Sequence, residues 1–134
     1  MLSGMTVYLR SPERLLTARE RDDLIEAGGY VHDLFQSSKS NPDPPFPGEA
    51  LLLFAGGLVE QTEGMPAGLI ALVEISSVTF ATMAIPPVTI FVQITIDEPV
   101  PTPGGSKVIW PMTWSLCSES GEHLSARIKM LGTQ

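Results

Sequence analysis

The stretch that decides the fold is Gly48-Glu49-Ala50-Leu51-Leu52-Leu53-Phe54-Ala55-Gly56-Gly57-Leu58-Val59-Glu60-Gln61-Thr62-Glu63, with Gly64 after it as a helix stop. Its unbroken apolar run predicts a buried helix, and between residues 50 and 59 that helix has no polar side. A helix that is apolar all round must be surrounded by protein, and in a chain of 134 residues only a curved sheet is large enough to do so. Gly56 and Gly57 would let the helix backbone approach that sheet closely. The run is about half of the roughly 20 residues that a bilayer helix needs, so no membrane span is expected.

The rest of the chain supplies the sheet. Residues 69–82 predict a long strand, apolar on both sides as far as Val73, whose phase slips between Ile75 and Val78 as a bulge at Ser76-Ser77 would make it. Val88, Ile90, Val92, Ile94 and Ile96 then alternate with Thr89, Phe91, Gln93, Thr95 and Asp97. Val108, Trp110, Met112, Trp114 and Leu116 repeat the pattern on the face toward the helix, as core. Leu124, Ala126, Ile128 and Met130 do the same after a Ser118-Glu119-Ser120-Gly121 turn. Pro111 cannot donate to a ladder, which argues for an edge position or a bulge. Upstream, residues 6–10 predict a short strand, and Thr17-Ala18-Arg19-Glu20 is a capping box that opens a helix. Leu24, Ala27, Val31, Leu34 and Phe35 keep helical spacing, and Gly28-Gly29 ends or kinks that helix. His123, beside a turn, is expected at the surface.

Composition narrows the function classes. With 8 basic against 15 acidic side chains the net charge is −7, and the scattered cations give no footprint for phosphate backbones, so nucleic acid is not an expected partner. The charged fraction of 17% is low, which points to surface hidden in an oligomer or around an apolar ligand. A chain of this length buries enough surface to form one domain, residues 1–134, without a disulfide framework or structural metal. Its single Cys117 has no internal partner and suits a reducing cytoplasm. Residues 1–10 lack a basic leader and a sustained apolar stretch, so no signal peptide is expected. Pro-rich stretches at 41–48 and 99–105 are loops.

A strand, a side helix, a fully apolar helix and four long strands is the element order of the α+β hot-dog fold, an antiparallel five-stranded sheet wrapped around a central helix. Over residues 16–131 the chain resembles the MaoC-like branch of that fold, the R-specific enoyl-CoA hydratases and related acyl dehydratases. The resemblance rests on Ser37-Ser38-Lys39-Ser40-Asn41-Pro42-Asp43-Pro44 at the site loop and Phe46-Pro47-Gly48 at the helix start. Phe80 with Pro87-Val88 at a strand entry and Gly121-Glu122 at the last turn extend it. It implies a dehydratase- or hydratase-like lyase on an acyl-CoA or similar thioester, with thioester hydrolysis also compatible, and no cofactor or metal. It further implies a homodimer or a hot-dog heterodimer. The family's loop Asp and His form an acid–base pair, which needs two titratable groups within hydrogen-bond reach. Those positions are Lys39 and Pro44 here, and the helix carboxylate of the related carrier-protein dehydratases is replaced by Leu53.

A rearranged catalytic set would then be drawn from His32, Asp43 and Glu49. Tyr30, Lys39, Ser40, Asn41 and Gly48 are the candidate substrate-binding residues. Each has a plainer reading. His32 with Asp33 suits the solvent face of the first helix if Val31, Leu34 and Phe35 point inward, and Glu49 suits the dipole at a helix start. Tyr30 suits packing, Lys39 solvation, and Ser40 with Asn41 the turn before Pro42. Two functions follow: an enzyme on a small acyl thioester or related carbonyl compound, or a non-catalytic subunit or ligand-binding module that partners an active relative.

Overall fold

The computed structural model describes residues 5–133, so the stretch inspected for a leader is described only from Met5 onward. In chain order the elements are β1 (Val7–Arg10), β2 (Arg14–Leu16), α1 (Ala18–Gly28), a 3-10 turn (Asp33–Phe35), α2 (Gly48–Glu60), β3 (Leu69–Phe80), β4 (Val88–Ile96), β5 (Val100–Pro101), β6 (Lys107–Ser118) and β7 (Gly121–Thr133). The antiparallel sheet has seven strands where five were expected, and five of them follow the path β1-β4-β6-β7-β3. Beside it, β2 pairs with β4 and β5 with β6; both are too short to show a period in the sequence.

Alternation in β4, β6 and β7 places one side chain in two on the face that meets α2. Ile90, Val92, Ile94, Met112, Trp114, Leu116, Leu124, Ala126 and Ile128 are buried there, in one cluster with Leu51, Phe54, Ala55, Leu58 and Val59 of the helix. The bulge expected near Ser76-Ser77 is present as a register shift between Ile75 and Ser77. Pro111 lies in an interior strand, but where β4 gives way to β5: the last β4 partner is Met112 and the nearest β5 partner is Ile109. Its missing N–H therefore falls in a local break of the ladder.

The capping box forms, with the Glu20 N–H donating to Thr17 Oγ1 at 3.2 Å and the Thr17 N–H donating to Glu20 Oε1 at 3.0 Å. Burial pushes the Glu20 carboxyl up, but the Thr17 N–H, the Arg14 guanidinium and the Thr17 hydroxyl together hold it below its usual value. α1 ends at Gly28 because Gly29 adopts the left-handed φ of 71°. Val31, Leu34 and Phe35 are thus outside the helix, and Val31, expected inward, is 86% exposed. His32 and Asp33 belong to a turn, not to the solvent face of a helix.

Three expectations about burial are corrected. α2 is not surrounded: Ala50, Leu51, Phe54, Ala55, Leu58 and Val59 are buried, whereas Leu53 is 64% exposed and Gly57 faces outward. The sheet covers one side, since the strand next to that open side, β3, is the sheet edge and is itself exposed along most of its length. Gly56 and Gly57 do not mediate a close approach, because a Cβ on Gly56 would sit 3.9 Å from Trp114 and one on Gly57 would meet nothing within 4 Å. His123 is not at the surface but 2% exposed, since the segment after β3 folds over it. Among the described residues no helix is long and apolar enough to cross a membrane.

These burial differences set the stability expected of variants. Leu51→Ala, which empties a side chain buried against the sheet, should lower the unfolding free energy by about 2–5 kcal/mol. Thr17→Ala, which removes a cap, should cost about 1 kcal/mol. Urea unfolding followed by circular dichroism measures both, and equal effects would contradict the assignment of α2 as the core element.

Candidate functional site

The Pro-rich loop presents the start of α2. Pro44, Pro45, Phe46 and Pro47 are all buried, although a loop of this composition has no ladder to hold it. Two bonds do so instead: buried Arg21 donates from Nη1 to the Pro44 carbonyl at 2.9 Å, and the Phe46 N–H donates to the Ala84 carbonyl at 2.9 Å. A guanidinium is suited to this task because it keeps several donors in fixed geometry after leaving water. Gly48 admits its neighbour closely, since a Cβ there would lie 2.7 Å from the half-exposed Phe80 ring and would have to displace it. Without one, the ring lies across the first turn of the helix.

That first turn carries the chemistry. Pro47 occupies the N-cap with no side-chain cap; the Ala50 N–H turns back to the Pro47 carbonyl at 3.0 Å, which leaves the N–H groups of Gly48 and Glu49 for a ligand or water, at the positive end of the dipole. Glu49 stands exposed in the same turn, and the Tyr30 hydroxyl donates to its Oε2. Tyr30 reaches it because the left-handed Gly29 turns the chain back after α1, and its ring is braced edge-on by Phe35 at 5.0 Å. The hydrogen bond to Glu49 raises the Tyr30 hydroxyl above its ordinary value, assisted by burial and by the carboxylate charge.

Glu49 borders two hollows. One is a cleft of ≈ 310 Å³ between the loop and the segment after β3, lined by Phe35, Phe46, Gly48, Phe80, Thr82 and Met83 among others. The other is an open apolar trough of ≈ 960 Å³ between the uncovered side of α2 and β3, walled by Leu53, Gly57, Leu69, Leu72 and Ile75. A carboxylate held by a phenol, next to unpaired backbone N–H groups and an apolar cleft, can take a proton from a carbonyl compound whose oxygen the N–H groups polarise.

Of the residues singled out in the sequence, Tyr30, Gly48 and Glu49 come together. His32, Lys39, Ser40, Asn41 and Asp43 do not line either hollow. His32 accepts the Leu34 N–H on Nδ1 at 3.0 Å and so caps the 3-10 turn. Asn41 donates from Nδ2 to the carbonyls of Leu34, Gln36 and Asp33 at 2.8, 3.1 and 3.2 Å, which organises the loop. Ser40 Oγ lies 3.2 Å from Ser38 Oγ, while Lys39 and Asp43 are exposed. Sequence reasoning missed Arg21, Thr82 and Met83. Arg21 sits in an otherwise polar first helix, and the other two follow a strand with no motif to mark them.

A scan against protein-family models and a search of curated proteins return no match. Solved structures do match. A monoamine oxidase regulatory protein from Archaeoglobus fulgidus superposes with a TM-score of 0.79 at 17% identity, over 100% of this chain and 92% of that one. A MaoC-like dehydratase from Rhodospirillum rubrum gives 0.76 at 13% identity, over 100% and 94%. The HadBC 3R-hydroxyacyl-ACP dehydratase complex from Mycobacterium tuberculosis gives 0.74 at 14% identity, over 98% of each chain. Together with the sheet path and the single helix packed on its inner face, these likenesses establish that the chain has the hot-dog fold.

Proposed function

We propose that the chain is a MaoC-like protein acting on a small acyl thioester or related carbonyl compound as a dehydratase- or hydratase-like lyase with a rearranged site. The observation that carries this reading is the Tyr30–Glu49 pair at the uncapped start of α2, on the rim of an apolar cleft. In the dehydration direction Glu49 takes the α-proton of a 3-hydroxyacyl thioester while charge grows on the thioester oxygen at the first-turn N–H groups. The C–O bond at the β-carbon then breaks, and the same proton passes from Glu49 to the departing hydroxyl, which leaves as water. Hydration runs these steps in reverse. Tyr30 holds the carboxylate in place by its hydrogen bond, and Phe80 and Met83 give the acyl group apolar contact. The dehydratases that share the fold support the reaction class, and Lys39, Pro44 and Leu53 at the family's catalytic positions support a site built from other groups.

The chain also works as one half of a pair on this reading. The exposed apolar side of α2 and the apolar edge strand β3, with Ile70, Leu72, Val73 and Ile75 all exposed, form a continuous surface of the kind that another copy or a related subunit covers. The same surface supports the second function, a non-catalytic subunit beside an active relative, as the occurrence of a two-component HadBC complex among the structural neighbours suggests.

Two measurements test these readings. Against a panel of enoyl and 3-hydroxyacyl thioesters, Glu49→Gln should lower kcat/KM by about 10²–10⁴-fold, with a smaller loss for Tyr30→Phe; turnover undiminished in both variants would overturn the catalytic assignment. Sedimentation at micromolar concentration should show a dimer that Leu53→Glu and Ile75→Lys each convert to monomer, and a parent protein that sediments as a monomer would count against the pairing surface.

A further inference from the structure

One fully bonded polar group in the interior plays no part in the chemistry above. His123, near the start of β7, is buried among hydroxyls and carbonyls. Its Nδ1 lies 3.2 Å from the Thr82 carbonyl and 3.1 Å from Thr82 Oγ1, and its Nε2 lies 2.6 Å from Ser118 Oγ. The Thr82 hydroxyl spends its own proton on the Glu122 carbonyl at 2.9 Å. Both Thr82 oxygens therefore face Nδ1 as acceptors, which assigns the ring proton to Nδ1 and leaves Nε2 to accept from Ser118. Ser118 Oγ is completed by the Ser120 hydroxyl at 2.9 Å and by the Ser120 N–H at 3.3 Å. The main chain adds a further tie, from the Ala81 N–H to the His123 carbonyl at 2.9 Å.

What the imidazole holds is the segment that forms one wall of the cleft. Phe80, Ala81, Thr82 and Met83 line it, and none of the last three lies in a strand. The same segment meets the start of α2 at two points. Ala84 receives the Phe46 N–H, and Phe80 lies against Gly48, one residue before Glu49. A shift of the segment therefore moves the helix start and Glu49 with it. A buried side-chain network with every partner satisfied is rigid, and losing one member leaves the others unpaired away from water.

We propose that His123 is a positioning residue of the Glu49–Tyr30 site, which through Thr82 and the 80–84 segment sets the place of the α2 start and the width of the cleft. Its role as a part of a catalytic site rests on the lyase reading; the mechanical coupling does not, and the two are separable by experiment.

The readout is the ionisation of Tyr30, which reports its bond to Glu49. In a Tyr8→Phe background Tyr30 is the sole tyrosine, since the chain has two, and its ultraviolet absorbance is titrated while circular dichroism follows the fold. The parent midpoint should lie above the ordinary phenol value, and Glu49→Gln should bring it down as the reference for a broken bond. His123→Leu should move the midpoint most of the way to that reference. His123→Asn, whose Nδ2 can donate to the Thr82 carbonyl in place of Nδ1, should restore it. Ser118→Ala and Thr82→Val supply the same test if His123→Leu does not fold, and each should shift the midpoint in the same direction. Folded variants that keep the parent midpoint overturn the proposal. Absence of thioester turnover with the Tyr30 shift intact removes the lyase reading and leaves the positioning role standing; turnover with no shift in any variant does the reverse.

Discussion

A helix with no polar side has to be buried, and this chain covers it on one side alone. That imbalance organises the molecule. On the inner side Leu51, Phe54, Leu58 and Val59 are buried against β4, β6 and β7, each contributing about 1.5–3 kcal/mol by leaving water. The three strands are long and paired side by side, so their twist curves the sheet over the helix and gathers the core into a cluster. On the outer side Leu53 and Gly57 have no cover, and β3, the strand beside them, leaves its own apolar residues in solvent. The same composition that drives folding inside the subunit thus supplies the surface that a second subunit would close.

The position of the helix also determines where chemistry is possible. Its start is held from both sides: the loop is pinned by Arg21 at Pro44 and by the bond from Phe46 to Ala84, while Phe80 occupies the space that a side chain at residue 48 would need. Proline at the N-cap removes the usual side-chain acceptor and leaves the N–H groups of Gly48 and Glu49 available, while that of Ala50 bonds to the Pro47 carbonyl. Glu49 then borders an apolar cleft while the Tyr30 hydroxyl holds its carboxylate, the one contributed by the first turn of α2 and the other by the segment just after α1. Lys39 and Pro44, which the resemblance to the hot-dog hydratases sets at their acid–base positions, do not line the cleft.

Much of this is legible in the amino-acid sequence. The strict alternation in residues 88–97 and 108–116, the capping box at Thr17 and the bulge near Ser77 are local patterns with local causes, and each stands where its pattern placed it. Glu49, Gly48 and Tyr30 were legible as candidates because each sits at a helix terminus or just beyond one, where backbone groups are free. Errors arose where burial depends on distant residues. His123 follows a turn and has the local character of a surface residue, yet Thr82, 41 positions away, packs over it. Val31 fits a helical period but lies beyond the left-handed Gly29, where that period no longer applies.

By itself the sequence determined the apolar helix α2, the capped start of the first helix and the long strands of the sheet, and that no ionisable side chain stands in α2 between Glu49 and Glu60. These follow from periodicity, capping and residue identity, which act over a few residues. Only the tertiary structure decided which side of α2 is covered, that Tyr30 meets Glu49 while His32 and Asp43 stay out of the cleft, and that His123 is interior. Those outcomes depend on long-range pairing of strands and on the docking of loops with no period of their own. No local pattern encodes such contacts, because the partners are brought together by the burial of the core as a whole.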